Sequence, residues 1–173
     1  MAIYKNKFTV NTESKKATYI NITNNVKDSV KNSGIKEGIC VVTTRHTTCA
    51  IFFEEYVHDI NEEGDEFLQE DLNNVLRKII PDHRDETAYK YPGEKHYQAV
   101  ENWENANDYL PNGDRSALWN ADAHLKSTII GASETLEVTG GKLGIGGTGY
   151  IYLVDFDQTR ERQREFTTII MGE

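Results

Sequence analysis

Apolar and polar residues alternate over residues 3–10 and 17–22, a period of two that predicts strands, joined by the turn Thr12-Glu13-Ser14-Lys15-Lys16. Thr23 then reads as the N-cap of a helix that carries Val26 and Val30 and ends at Gly34. Strands are expected at about 38–44 and 48–54, where Ile39-Cys-Val-Val and Cys49-Ala-Ile-Phe-Phe are continuous apolar runs that read as buried. The clearest helix opens at Asp65. Its Phe67, Leu68, Asp71, Leu72, Val75, Leu76 and Ile79 recur at helical spacing, so the stripe is expected to face a core, and Pro81 stops it. Asp71 interrupts that stripe, and a carboxylate on a buried face needs a partner.

From Asp82 to Trp119 the chain is polar, rich in Tyr, Asn and Pro, and has no firm period. A segment that long inside a compact domain is usually functional, and its aromatics argue for an ordered loop packed over something. Asn120 starts a helix running to about Gly131, with Ala123, Ser127 and Ile130 on its inner face. Strands follow at Thr135–Val138, Tyr150–Phe156 and Glu165–Met171, with a glycine-rich bend from Gly140 to Gly149. Neither a repeat nor an interdomain linker is visible. The order ββαββα-loop-αβββ predicts one α+β domain over residues 1–173, with largely antiparallel sheets.

The formal charge of −9 argues against nucleic acid and against an anionic membrane surface as partners. A local basic patch at Arg160, Arg162 and Arg164 could still hold a small anion. No run of about 18 apolar residues suggests a membrane span, and Met1-Ala-Ile-Tyr-Lys-Asn-Lys7 lacks an apolar signal core, so a cytoplasmic location is expected. Cys40 and Cys49 form no CxxC pair and read as buried thiols.

Two polar islands interrupt the apolar stretches: Arg45-His46-Thr47-Thr48 with Glu54-Glu55, and Asn120-Ala-Asp-Ala-His124-Leu-Lys126-Ser127. An imidazole beside a buried sheet must be hydrogen-bonded, metal-bound or catalytic, since an unsatisfied buried polar group costs roughly 1–3 kcal/mol. His46, His96 and His124, with a carboxylate from Glu55 or Asp71, would make a divalent-metal site with an open position. His58 and His83 lie in polar surroundings and read as surface residues. The helix start at Asn120, with Lys126, Ser127 and Thr128 close by, could hold a phosphate or be an ordinary capped helix. His46 with Glu55 could transfer protons near neutral pH. The run Gly140–Gly149 lacks both phosphate-loop and dinucleotide fingerprints, and no GxSxG elbow marks a serine nucleophile.

The ordered set of His46-Thr47-Thr48, Glu55, Asp71, His96, Ala123-His124-Leu-Lys126-Ser127 and Gly131 continues through Ser133, Leu136, Val138, Gly141, Gly146 and Ile151 to Arg160. Over about residues 3–172 this pattern resembles the YjbQ-like family. The resemblance implies a compact antiparallel α+β fold, a homotrimer, and a cleft between subunits lined by His46, Glu55, His96 and His124. It also implies metal binding in some relatives and a secondary thiamin-phosphate synthase activity. Where the family has Gly-Thr-Trp-Gln, this chain has Gly146-Gly147-Thr148-Gly149, and its loop between His96 and Asn120 is longer than usual.

The expected function is therefore an enzyme acting on a small phosphorylated or heterocyclic metabolite at a divalent-metal site holding zinc or magnesium. His46, Glu55 and His124 would be the catalytic groups, and His46, His96 and His124 the metal ligands. Lys126 and Arg160 would neutralise phosphate, and Asp71 would orient an imidazole. The alternative is a module that binds a small molecule or a metal without turnover; in a third reading the histidines are purely structural.

Overall fold

The computed structural model describes residues 1–173 as two antiparallel sheets in a half-barrel with helices packed against it. One sheet holds, in spatial order, β1 (Ala2–Thr12), β8 (Arg162–Gly172), β3 (Gly38–Thr44), β5 (Ser133–Thr139) and β6 (Lys142–Leu143). The other holds β2 (Thr18–Asn21), β7 (Gly149–Asp155) and β4 (Cys49–Glu55). The helices are α1 (Thr23–Ser33), α2 (Phe67–Ile79), α3 (Glu94–Glu101), α4 (Ala106–Tyr109) and α5 (Ala121–Ile130).

Period-two alternation builds the larger sheet. Cys40 and Val42 of β3, with Phe166 and Ile170 of β8, point into the main core, where they meet Val26 and Val30 of α1. The smaller sheet is covered on both faces, which is why its strands lack alternation. Ile51 and Leu153 enter the main core, while Ala50, Phe52, Tyr152 and Val154 pack beneath Leu76 of α2 and Ala123 of α5. Leu153 is fully buried, and truncating it to Ala should cost about 2–5 kcal/mol. Cys40 and Cys49 are free and buried.

Only part of the apolar stripe of α2 faces the sheet: Leu72 and Leu76 pack on the core beneath it. Gln69 and Leu76 are its buried residues, whereas Phe67, Leu68, Val75 and Ile79 are 38–69% exposed and Asp71 is exposed. The stripe is wider than the buried line, which runs through Gln69, Leu72 and Leu76 and leaves the far side of the stripe in the open. A reciprocal capping box between Glu66 and Gln69 fixes where the helix starts and pulls Gln69 inward. One chain thus leaves an apolar helix face uncovered. No helix is long and apolar enough to cross a membrane.

The pairings Thr44–Phe166 and Cys49–Asp155 bring the ends of β3 and β7 and the starts of β4 and β8 to one rim of the half-barrel. That rim carries the candidate site.

Candidate functional site

Three stretches of chain enclose a cavity of about 310 Å³ at the rim. The β3–β4 turn supplies Arg45, His46 and Thr48, and the β7–β8 connection with the start of β8 supplies Asp157, Arg160, Arg162 and Arg164. The segment between α2 and α5 supplies His96 and an aromatic wall that includes Tyr91, Trp103 and Tyr109, while Asn120 and His124 enter from α5.

Three of the guanidiniums are held by carboxylates. Arg164 donates through Nε to Asp155 Oδ2 at 2.6 Å and through Nη2 to Thr48 Oγ1 at 3.0 Å. Asp155 is fully buried and also accepts from Thr12, Thr48 and the Asp157 N–H. Arg162 donates to Asp157 Oδ2 at 2.7 Å, and the same oxygen accepts from Asn120 Nδ2 at 3.0 Å. Burial pushes the Asp157 carboxyl up, but Arg162, Thr159 and Asn120 outweigh it and hold the group below the ordinary carboxylate range. Arg45 pairs with Glu165.

Arg160 differs. It has no carboxylate partner, its Nη1 is buried without a hydrogen bond, and its guanidinium lies 5.6 Å from the Tyr109 ring centroid. Burial and the neighbouring Arg162 both disfavour its charge. The Nε of Arg162 is likewise buried and unpartnered. Both arginines line a cavity where positive charge already exceeds negative, an arrangement that an anion would complete.

Two of the cavity histidines, His46 and His124, are neutral-leaning. The Glu165 N–H donates to His46 Nε2 at 2.9 Å, so in the neutral ring Nδ1 carries the proton. Burial, Arg164 and Arg45 lower the His46 pKa, and burial lowers that of His124 despite the opposing Thr47 carbonyl and Asp157. His96 Nε2 lies 3.2 Å from the Tyr91 hydroxyl.

The segment from 82 to 119, patternless in sequence, forms α3, α4 and two 3₁₀ turns around a small core of its own, made by Tyr97, Val100, Leu110 and Leu118. Arg115 ties it together through Glu94, Glu101 and the Tyr97 ring. Such a segment has no single period because it carries four short elements, each making less than three turns.

His46, His96, His124 and Arg160 thus share one cavity. Glu55 does not reach it: it pairs with Gly149 while Cys49 pairs with Asp155, six residues or about 20 Å along the strand. Asp71 is exposed on α2. Lys126, expected to meet phosphate, is fully buried between Asp122 at 2.8 Å and Asp82 at 3.0 Å, so its charge is already neutralised. His83, expected at the surface, is 8% exposed between the Trp119 and Tyr89 rings. Its Nδ1 accepts the Ala121 N–H at 3.3 Å, which takes one of the free donors at the start of α5. Asp155, Asp157 and Tyr91 escape a sequence reading. The available signal was two carboxylates closing a buried strand at Val154-Asp-Phe-Asp157.

As placed, these residues do not fit a resident divalent ion. No three His, Cys, Asp or Glu side chains are arranged to share one. His46 Nε2 is occupied by a backbone donor, and four arginines surround the histidines.

A family model described as "UPF0047 protein YjbQ-like" matches residues 6–173. The chain belongs to the YjbQ-like family. It is 28% identical over 160 residues to a UPF0047 protein of Methanocaldococcus jannaschii, covering 92% of this chain and 89% of that one. It is 30% identical over 149 residues to the UPF0047 protein YugU of Bacillus subtilis, covering 86% and 87%. Among solved structures it resembles a YjbQ/UPF0047 protein of Clostridium acetobutylicum (TM-score 0.67, 28% identity, 95% of this chain and 98% of that one). A YbjQ-like protein of unknown function from Sulfolobus solfataricus gives a TM-score of 0.66 at 26% identity, covering 99% and 100%.

In the 146–149 turn of this YjbQ-like chain, Gly149 is required by its surroundings. A Cβ on Gly149 would lie 2.2 Å from the Phe53 ring and 2.4 Å from the Ile145 carbonyl, so no side chain fits there. The turn lies at the Glu55 end of β7, away from the cavity within one chain.

Proposed function

We propose that this YjbQ-like protein is an enzyme acting on a small phosphorylated metabolite, with the phosphate held by Arg160, Arg162 and Arg164 and protons handled by His46 and His124. The unpaired, part-buried guanidinium of Arg160 carries this reading, because an uncompensated charge in a cavity is costly unless a ligand supplies its partner. Preset cationic donors would also stabilise a departing diphosphate, the demand of a thiamin-phosphate synthase side activity. Arginines rather than a resident ion carry the anion's charge in this reading. A homotrimer belongs to the same proposal, with the apolar face of α2 covered by a second copy.

The test is calorimetric titration with inorganic diphosphate. Wild type should bind, and Arg160→Ala should weaken binding about ten- to a hundredfold, the scale of lost charge-assisted hydrogen bonds. Wild-type protein that ignores diphosphate would sink the proposal. A second reading, binding without turnover, is favoured by one observation: Nε2 of His46 and Nε2 of His96 are already engaged by the Glu165 N–H and the Tyr91 hydroxyl. Detectable turnover that vanishes in His124→Ala would exclude it.

A further inference from the structure

The arginine-lined cavity has a neighbour of opposite character. A recess of about 470 Å³ shares Thr47, Tyr91, His96 and His124 with it, and its remaining wall is Tyr89, Lys90, Ala121 and Leu125. Lys90 is the one charged residue among those four. Tyr91 is the partition between the two spaces: its ring centroid lies 4.9 Å from that of His96 and 5.6 Å from that of His124. The hydroxyl of Tyr91 is tethered to His96 Nε2, and the hydroxyl of Tyr89 donates to the Pro81 carbonyl, so both rings are set in place before any ligand arrives. Leu125 is 46% exposed and closes the far side of the recess from the outer face of α5.

A phosphate alone would use only the arginine side. Its guanidinium donors are Arg45, Arg160, Arg162 and Arg164, and the recess holds no arginine. An apolar wall that joins a cationic pocket through shared histidines suits a single ligand with two ends. We infer that the site is bipartite and takes an organic phosphomonoester whose non-phosphate part is apolar, with the phosphate among the arginines and the apolar group in the recess behind Tyr91. This rests on the anion-binding reading of the arginine cavity. Tyr91 becomes the specificity-determining residue: it grips the junction between the two halves and sets how far the apolar group reaches.

Calorimetry with inorganic phosphate and with phenyl phosphate on the full-length protein tests this. Phenyl phosphate should bind wild type about ten- to a hundredfold more tightly than inorganic phosphate, the gain expected from burying one ring. In Leu125→Asp the ratio of the two dissociation constants should fall toward one, and Arg160→Ala should weaken both ligands. Equal affinity of the two ligands for wild type would overturn the bipartite site and leave the anion site standing. Failure of wild type to bind either ligand would overturn both readings. A ratio that survives in Leu125→Asp would place the ring elsewhere and overturn the assignment of the recess.

Discussion

Arg164 Nε lies 2.6 Å from Asp155 Oδ2, joining two side chains that are 12% and 0% exposed at the cavity floor. The carboxylate ends β7 and the guanidinium opens β8, so this pair closes the rim and aims one arginine at the site. Removing Asp155 would strand a buried cation and release Thr12 and Thr48. Asp155→Ala should therefore destabilise the fold by about 3–5 kcal/mol in urea unfolding. A loss below about 1 kcal/mol would show that Arg164 finds water or another partner.

Arg160 should behave in the opposite way. With no carboxylate partner and a buried orphan donor, it costs the empty protein stability. Arg160→Ala is expected to leave the thermal midpoint unchanged or raise it while weakening anion binding, a trade typical of functional residues. A drop of several degrees would mean that Arg160 is structural.

The histidines make stability depend on pH in one direction. Burial, helped at His46 by Arg164 and Arg45, lowers the pKa of His46 and His124 below the ordinary 6.5. Their contribution is present above about pH 6.5 and is lost as pH falls through the lowered values, because only the unfolded chain takes up the protons first. NMR titration of the ring protons should give both midpoints below 6.5, and His124→Gln should flatten the acid limb of urea stability. A midpoint above 6.5 for either ring contradicts the burial argument.

Glu54 should act with the opposite sign. Burial, reinforced by Glu66, raises its pKa from 4.5 to about 7, and its Oε2 is buried without a partner beside Tyr19 and Tyr152. Its contribution is complete below pH 4.5 and is lost as pH rises through about 7. Glu54→Gln should remove that decline between pH 5 and 8. An unchanged pH profile would assign the decline to other groups.

The exposed face of α2 tests the proposed assembly. Val75 and Ile79 are 50% and 69% exposed, one turn apart on that face. Val75→Asp combined with Ile79→Asp should shift sedimentation from the trimer to the monomer while far-UV circular dichroism stays unchanged. A wild type that sediments as a monomer at micromolar concentration would remove the need for a partner on this face.

Much of this was legible because it is written in short-range periods. The positions of β3, β7 and β8, the buried apolar run of β4, and the inner positions Ala123 and Ser127 of α5 lie where one-dimensional pattern places them. By contrast β3, read as buried throughout, alternates and leaves Ile39 exposed. The resemblance also put His46, His96 and His124 in one cleft, and within this chain they line one cavity. Glu55 was misplaced for a simple reason: nine residues of separation in sequence become the length of a strand in space. Lys126 and His83 were misread because a polar residue type says nothing of the partner that permits its burial. Asp82 and Asp122 serve the first, and the Ala121 N–H and two aromatic rings serve the second.

By itself the sequence determined the fold class, the order of the long strands and of α1, α2 and α5, and the supply of histidines and arginines, because backbone propensity and hydrophobic period are local. Only the tertiary structure decided which charges are spent and which are free. Arg162 and Arg164 meet Asp157 and Asp155, and Arg160 meets none. Arg160 and Arg162 lie two apart in one short stretch, and pairing energy depends on separation and dielectric in space. No spacing along the chain can encode either.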